Sequence, residues 1–453
     1  MRIRRIGRLR GEGGFILITV YLLLAVFLVH ATALITQSFA DLRGAQRFQS
    51  AQQSFYLAEA GVDQALRWLQ TQAVPPAFTN ERTILADGTT QAQAAANGGD
   101  PGALTAANGW RPLGEGFYRV SIDPDNNNPA SFMDRYVLEG WGATWSRTAG
   151  GVDIATSLRR TRLIVQSESF SRYAYYTNAE TSPSGGLIWF RTGDVITGPT
   201  HTNGQFSING SPVFNGAASS VSSTLNLAPG ANPAWNGGLQ LGVSPPATPF
   251  PSAVPAPIIA AAGSPQGRRF NGNTTLQLVN DGTMRVTNAA AGLNNSVQPL
   301  PANGVVYVQG GNVTLQGTLQ GQLTVATDRD VRVAGPVRYA TDPTVPNSSS
   351  TDLLGIVAGN NVIVNQVAYQ NMRIDASIMA MNTSFTVQNY NSGSARGTLT
   401  VIGGIIQKNR GAVGTLGGSG YLKDYRYDNR LMNTTPPFFP ATGNYTTVVW
   451  EEK

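Results

Sequence analysis

An apolar stretch near the amino terminus constrains this chain more than any other feature. Residues 15–36 contain no Asp, Glu, Lys or Arg, and the stretch is long enough for a helix to cross the hydrocarbon core of a bilayer. Five arginines precede it within residues 1–14, which is the charge bias of a cytoplasmic flank. We therefore expect a membrane helix at residues 15–36, followed by an exported body.

Composition favours an extracellular, β-rich protein. Only 13% of the 453 residues are charged, glycine occurs 51 times and lysine three times, whereas helical surfaces usually carry Glu and Lys. The absence of cysteine excludes disulfides and thiolate metal sites. The net charge of +6 comes mainly from the arginines of residues 1–14, so we expect no nucleic-acid partner. No cofactor is expected either, because the sequence has no P-loop and no H-E-x-x-H motif.

The pattern continues as a helix beyond the apolar stretch. From residue 37 to residue 72, apolar or small residues recur at the spacing of one helical face, and the first proline is Pro75. This predicts a single helix over residues 15–72, apolar in its first half and amphipathic in its second. At 1.5 Å per residue, it would be about 85 Å long.

Three interpretations of residues 1–36 remain open. In the first, residues 1–14 resemble a prepilin leader, which is short and basic and is cut between Gly14 and Phe15. In the second, they begin a secretory signal that is cut after Ala33 and leaves Leu34 at the mature terminus. In the third, the apolar stretch is an uncleaved anchor.

Residues 52–61, which include Ala58, Glu59, Ala60 and Gly61, favour the first interpretation. They resemble the end of the amino-terminal helix in PilX-type minor pilins, the pilus-assembly proteins of type IV pili. The resemblance implies N-methylation of Phe15 and processing by prepilin peptidase. It also implies a start in the bacterial inner membrane and a later place at the cell surface among other pilin-like subunits and the assembly machinery. The small residues would also let another element approach the helix closely.

The fifth position after the expected cleavage site departs from the pilin pattern. Most pilins carry Glu there, and its carboxylate is thought to pair with the amino terminus of the neighbouring subunit. This chain has Thr19. In related filaments a subunit without that Glu suits the tip or an initiating complex, because no subunit above it needs a partner charge.

A small antiparallel domain is expected at residues 73–170. Residues 73–115 contain few large apolar side chains and suggest a loop. Three alternating segments follow at residues 117–122, 136–145 and 154–169, joined by short turns. A long helix followed by such a meander is the pilin-like layout.

Residues 171–453 are expected to form a β-solenoid-like domain or, alternatively, a Gly-rich β-sandwich. Apolar pairs such as Val306/Val308 and Val313/Leu315 recur 17 and 18 residues later. Residues 243–264 are rich in Pro and Ala and predict a linker or a covering segment, and the aromatic last 30 residues are expected to fold over the body. Residues 186–453 also resemble an uncharacterised domain found behind pilin-type amino termini in bacteria.

Candidate catalytic residues are few. His201 could act as a base with Asp194, although no nucleophile stands at a supporting spacing. A calcium-dependent polysaccharide enzyme would need clustered carboxylates and a base, and the nearest approach is Asp328, Asp330 and Asp352 with Arg329 and Arg332. The sequence thus predicts a non-enzymatic pilin-like subunit, possessing no metal site, whose body meets a surface or a glycan. The alternatives are a polysaccharide-acting β-solenoid protein and an anchored structural envelope protein.

Overall fold

The computed structural model describes residues 13–72, 83–86, 89–92, 104–125, 132–244, 250–365 and 369–452. Helix α1 spans Gly13–Thr71 and helix α2 spans Ala256–Gly263. Single 3₁₀ turns occur at Ala106–Asn108, Phe170–Arg172 and Asn429–Met432. The predicted fold class is confirmed, because a long amino-terminal helix precedes a mainly β body. The predicted leader lies largely outside the described residues.

The strands fall into two groups along the chain, before and after α2. Those before α2 are β1 (Thr83–Ala86), β2 (Thr89–Ala92), β3 (Arg111–Leu113), β4 (Gly116–Pro124), β5 (Arg135–Arg147), β6 (Asp153–Ser169), β7 (Tyr175–Ala179), β8 (Phe190–Arg191), β9 (Val195–Thr197), β10 (Thr200–Thr202), β11 (Ser207–Asn209), β12 (Val213–Phe214), β13 (Ala218–Ser220), β14 (Asn226–Leu227), β15 (Ala234–Trp235) and β16 (Leu239–Leu241). Those after it are β17 (Arg268–Asn271), β18 (Thr274–Val279), β19 (Thr283–Asn288), β20 (Leu293–Pro299), β21 (Val305–Gln309), β22 (Val313–Leu319), β23 (Gln322–Thr327), β24 (Val331–Tyr339), β25 (Leu353–Ala358), β26 (Val362–Val364), β27 (Arg373–Ala380), β28 (Phe385–Val387), β29 (Ala395–Asn409), β30 (Gly420–Arg426) and β31 (Ala441–Glu452).

The second half of α1 packs on an antiparallel sheet with the order β2-β1-β4-β5-β6-β31, which we call the helix-bearing sheet. Strand β3 pairs with β4 at its side. The predicted meander is present as β4, β5 and β6. The loop expected at residues 73–115 is wrong in part, since β1, β2 and β3 lie within it. These strands are only three or four residues long, too short to show a clear alternation.

The last strand returns to the helix-bearing sheet. Strand β31 pairs antiparallel with β6, and Trp450 stands opposite Leu163. The expectation that the aromatic end covers the body therefore fails for residues 441–452, although Phe439 is buried against the body. Because β6 and β31 are neighbours, the body (residues 171–440) is an insertion between two adjacent strands of one sheet.

The body is built by parallel stacking. Ten strands form one continuous face in the order β17, β21, β23, β25, β27, β29, β7, β10, β13 and β16. Three further rows stack in parallel as β18-β22-β24-β26-β28, β30-β9-β12-β15 and β8-β11-β14. This parallel pairing is the solenoid-like one of the two arrangements expected for the body.

Apolar pairs face inward along these rungs, and all four residues of the predicted pairs Val306/Val308 and Val313/Leu315 are fully buried. The predicted offset of 18 residues is confirmed, since Val313 pairs with Val331. The offset of 17 is wrong, because Val306 pairs with Val325 rather than with Leu323. The repeat from β21 to β23, which includes β22, is therefore two residues longer than the apolar pattern suggests.

The chain enters the stack in its middle. Strand β7 lies between β29, near the end of the chain, and β10. The chain builds one half of the stack as far as β16, and residues 242–267 carry it to the opposite end at β17. The hairpin β19–β20 closes that end by pairing antiparallel with β18.

The Pro/Ala-rich segment lies on the outer face of the stack. Phe250 stacks on Tyr176, with ring centroids 5.9 Å apart, and Asn382 donates a hydrogen bond to the carbonyl of Ser252. Val254 and Ile258 are buried against outward-facing residues of successive rungs. Residues 250–264 thus act as a covering segment for apolar side chains that would otherwise face water.

Candidate functional site

The first half of α1 is the most unusual surface of the molecule. Every described side chain from Ile16 to Gln49 is exposed, although the part up to Thr36 is strongly apolar. A helix of a soluble core would bury this surface, so the described residues present a helix long and apolar enough to cross a membrane. Gly14 and Phe15 lie within this helix. The side chain of Phe15 is outside the described part of the structure.

Thr19 lies on the exposed half of α1. Its hydroxyl donates a hydrogen bond to the carbonyl of Ile16 in the same helix, at 2.9 Å. A carboxylate at this position would need a cation in an apolar medium. The threonine hydroxyl is instead satisfied by its own helix.

The second half of α1 is held by close backbone contacts with β5. Ala58 is fully buried, and a side chain at Gly140 or Gly142 would overlap the backbone oxygen of Ala58 or Ser54. The Ser54 hydroxyl donates to the carbonyl of Ser157 at 3.2 Å. The helix and the sheet therefore touch without intervening side chains.

The predicted packing motif lies at this contact. Gly61 is buried, and a side chain there would press on the Tyr118 ring. Ala60 and Glu59 are partly buried. Desolvation raises the pKa of the Glu59 carboxyl, and the neighbouring carboxylates of Asp63 and Glu452 raise it further. Gly140 and Gly142 were recognisable in principle, because two glycines inside a strand indicate close approach of another backbone.

His201 is brought together with residues other than the predicted Asp194. Its Nδ1 lies 2.8 Å from the Ser219 hydroxyl and its Nε2 lies 2.9 Å from Asn203 Oδ1. The hydroxyl of Ser219, a group that can act as a nucleophile, thus lies beside the histidine. The spacing in the sequence did not suggest this pair. The two residues are register partners on the adjacent strands β10 and β13. The ring is only 5% exposed and packs on Tyr176, so we assign it to the stability of the stack.

His201 is expected to make the protein less stable in mild acid. Burial lowers the pKa of its imidazole below the ordinary value of 6.5, although the hydrogen bond with Asn203 opposes this shift. The unfolded chain then binds a proton more tightly than the folded one, so the free energy of unfolding should fall as the pH drops below about 6.5. Urea unfolding at pH 7 and pH 5 measures this, and a His201→Gln variant should show a smaller difference. An equal difference in both proteins would contradict the assignment.

The three carboxylates that come nearest to a calcium-binding cluster in the sequence bind backbone groups in the stack. Each accepts a backbone N–H at a turn of the stack: Asp328 and Asp330, both in the turn between β23 and β24, accept from the Gly310 and Asn361 N–H groups, and Asp352 accepts from the Gly321 N–H. No group of three potential metal ligands occurs in the part of the chain that the structure describes. The carboxylates that a calcium-dependent polysaccharide enzyme would need therefore accept hydrogen bonds from backbone N–H groups instead.

Two buried ion pairs join the rungs that are first and last in chain order and that are neighbours in the middle of the stack. Lys423 Nζ lies 2.6 Å from Asp194 Oδ2, and Arg410 lies 2.8 Å from Glu180 and over the ring of Phe190. Burial lowers the pKa of the Lys423 ammonium, and the Asp194 carboxylate opposes that shift. Asp194 is thus the partner of a lysine more than two hundred residues away in sequence and not of His201.

The chain is similar to a known family model and to a solved structure. The model, described as a domain of unknown function (DUF4900), matches residues 142–223, which cross from the helix-bearing sheet into the body. The structure is that of the competence-associated pilin ComZ from Thermus thermophilus, at 12% sequence identity and a TM-score of 0.35, with 89% of this chain and 98% of that chain covered. A likeness this distant carries no argument about function. No curated protein matches the sequence.

Proposed function

We propose that this chain is a non-enzymatic, minor pilin-like subunit of a type IV pilus or a type II secretion-like filament. Prepilin peptidase would cut it between Gly14 and Phe15, and Phe15 would then be N-methylated. It would start in the bacterial inner membrane and move to the cell surface with the filament. Its partners would be other pilin-like subunits and the assembly machinery.

One observation carries the proposal: a single helix has an exposed apolar half and a docked half. Residues 16–49 contact no other part of the described protein closely enough to be buried, whereas Ala58, Val62, Ala65 and Leu69 are buried on the sheet. Such a helix can leave a bilayer and enter a bundle of like helices without unfolding the domain that it carries, because the two halves have separate environments.

Thr19 and the size of the body support a place at the tip or in an initiating complex. A buried carboxylate needs a partner charge, and Thr19 makes no such demand on a subunit above it. The body spans residues 171–440 and would crowd a shaft of small repeating subunits. At a tip it would face outward as an adhesive or spacer domain that meets a surface or a glycan.

Mass spectrometry of the mature amino terminus tests the proposal. A start at Phe15 with the mass of an added methyl group is expected. A start at Leu34 would make the protein a secreted one, and an intact Met1 would make it a plainly anchored envelope protein. Either result overturns the pilin-like assignment.

A pair of variants separates the two cleavage sites. We expect Gly14→Leu to block processing, so that the whole basic leader stays attached and the subunit is absent from sheared filaments. The matched change Ala33→Leu should leave processing intact, because it alters only the alternative signal-peptide site. Immunoblotting of membrane and sheared fractions measures both. Retention of the leader in the Ala33 variant and its removal in the Gly14 variant would reverse the conclusion.

A further inference from the structure

The tip of the β5–β6 hairpin, residues 145–158, exposes apolar side chains on both of its faces. Trp145 and Leu158 are on the face away from α1 and are 38% and 36% exposed. Ile154 is on the face toward α1 and Val152 is in the turn, and these are 42% and 45% exposed. A hairpin in water normally keeps at least one face polar. This tip is therefore suited to a less polar medium.

The hairpin points toward the apolar half of α1. Gly140 meets Ala58, and Gly142 meets Ser54. Two strand residues span about 6.6 Å and four helix residues span about 6 Å, so β5 runs nearly antiparallel to the helix axis. Strand numbers rise as helix numbers fall, and the tip lies beyond Ser54 on the side of the expected membrane span.

The lengths bring the tip to the bilayer surface. From Ser54 back to Thr36, the last residue of the expected span, is about 27 Å of helix. The hairpin extends from Ser157, which is bonded to Ser54, to Gly151, a length of about 20 Å. The remaining gap of about 7 Å is close to the thickness of one headgroup layer, which is roughly 5–8 Å.

The side chains at the tip suit that layer. Arg147 lies over the Trp145 ring at 5.5 Å and pairs with Asp153 at 2.8 Å. Arg159 is also exposed on β6. Tryptophan rings favour the boundary between headgroups and acyl chains, and arginines near it are attracted to anionic lipids.

We propose that the β5–β6 hairpin tip docks on the anionic lipid surface of the leaflet from which α1 emerges after Thr36. This inference rests on the proposed membrane stage of the subunit. Docking would hold the helix-bearing sheet at a fixed height and orientation on the membrane before assembly. On removal from the bilayer, the same tip would be released together with the helix.

A single fluorescent label tests the docking, because the chain has no cysteine of its own. Val152→Cys carries an NBD label at the tip, and Val297→Cys, at an exposed position on β20, carries it on the body as the matched control. Both proteins are placed in phosphatidylethanolamine/phosphatidylglycerol vesicles. We expect headgroup-region spin-labelled lipid to quench the label at residue 152 at least two-fold more than the label at residue 297.

Equal quenching of the two labels would overturn the inference. If quenching depends on the amount of protein in the vesicles and not on the spin-labelled lipid, the tip contacts a neighbouring subunit. This result would also overturn the inference. Flotation of the vesicles separates docking of the tip from the membrane stage of the whole chain. A chain that floats with an unresponsive tip refutes docking alone, whereas a chain that fails to float refutes the membrane stage as well.

Two further variants exclude a nonspecific effect. Trp145→Ser combined with Ile154→Ser should reduce the quenching at residue 152 to the level of the body label. Leu227→Ser, which removes an exposed apolar side chain from the body, should leave the quenching unchanged. Full quenching in the double variant would show that the apolar side chains do not hold the tip on the lipid.

Discussion

Replacing Lys423 with methionine is expected to destabilise the body by about 3–5 kcal/mol, because it leaves the buried Asp194 carboxylate without its cation. Asp194 is fully buried and also accepts the backbone N–H groups of Arg191 and Lys423. Those two bonds keep the carboxylate oriented but supply no countercharge. The loss should fall on the contact in the middle of the stack between the carboxyl-terminal rung and the rung where the chain enters, since the pair joins β30 to the turn before β9.

Two variants control this result. Combining Lys423→Met with Asp194→Asn removes both charges, and most of the lost stability should return, because a buried pair contributes less than the cost of breaking it. Arg426→Met removes an exposed cation from the same strand, paired with Asp424 at 2.8 Å, and should cost at most about 1 kcal/mol. Urea unfolding measures all three. Equal losses for Lys423→Met and Arg426→Met would contradict the buried-pair argument.

The elements that follow from local sequence pattern were predictable. The spacing of apolar residues along α1 and its length are typical of a long helix and of few other structures. In β4, β5 and β6, apolar and polar residues alternate clearly between short turns. The inward pairs of the stack repeat at the spacing of successive rungs, as Val313 and Val331 do. Each of these signals depends on residues close together in the chain.

The arrangement of the body within the chain was not predictable in this way. The return of β31 to β6 and the entry of β7 beside β29 are pairings between segments far apart in sequence. Nothing in the residues around Asp194 identifies Lys423 as its partner, because a charge in a glycine-rich turn usually faces water. His201 and Ser219 likewise meet only because their two rungs stack. A single sequence shows the spacing of the apolar repeat but not how each rung is rotated on the next one.

Replacing Gly142 with alanine or valine is expected to detach α1 from the helix-bearing sheet. The first added carbon would overlap the backbone oxygen of Ser54 and approach the backbone nitrogen of Ala58. Backbone atoms of a helix cannot move aside as a flexible side chain can, so the loss should be about 3 kcal/mol, the upper end of the usual cost of overpacking. Hydrogen exchange should rise at residues 54–69, where the helix is now buried on the sheet.

Gly44→Ala is the matched control on the helix itself. Gly44 has no atom within 4 Å of the added carbon, so this change should leave exchange at residues 54–69 as it is and favour the helix slightly. The alanine variant at Gly142 is the decisive one, because its only new atom is the carbon that collides. If the Gly142→Ala variant kept the protection of residues 54–69 from hydrogen exchange, α1 and β5 would lie farther apart than the close contact at Gly142 indicates. The antiparallel course of β5 toward the expected membrane span, on which the proposed height of the hairpin tip depends, would then lose its anchor point.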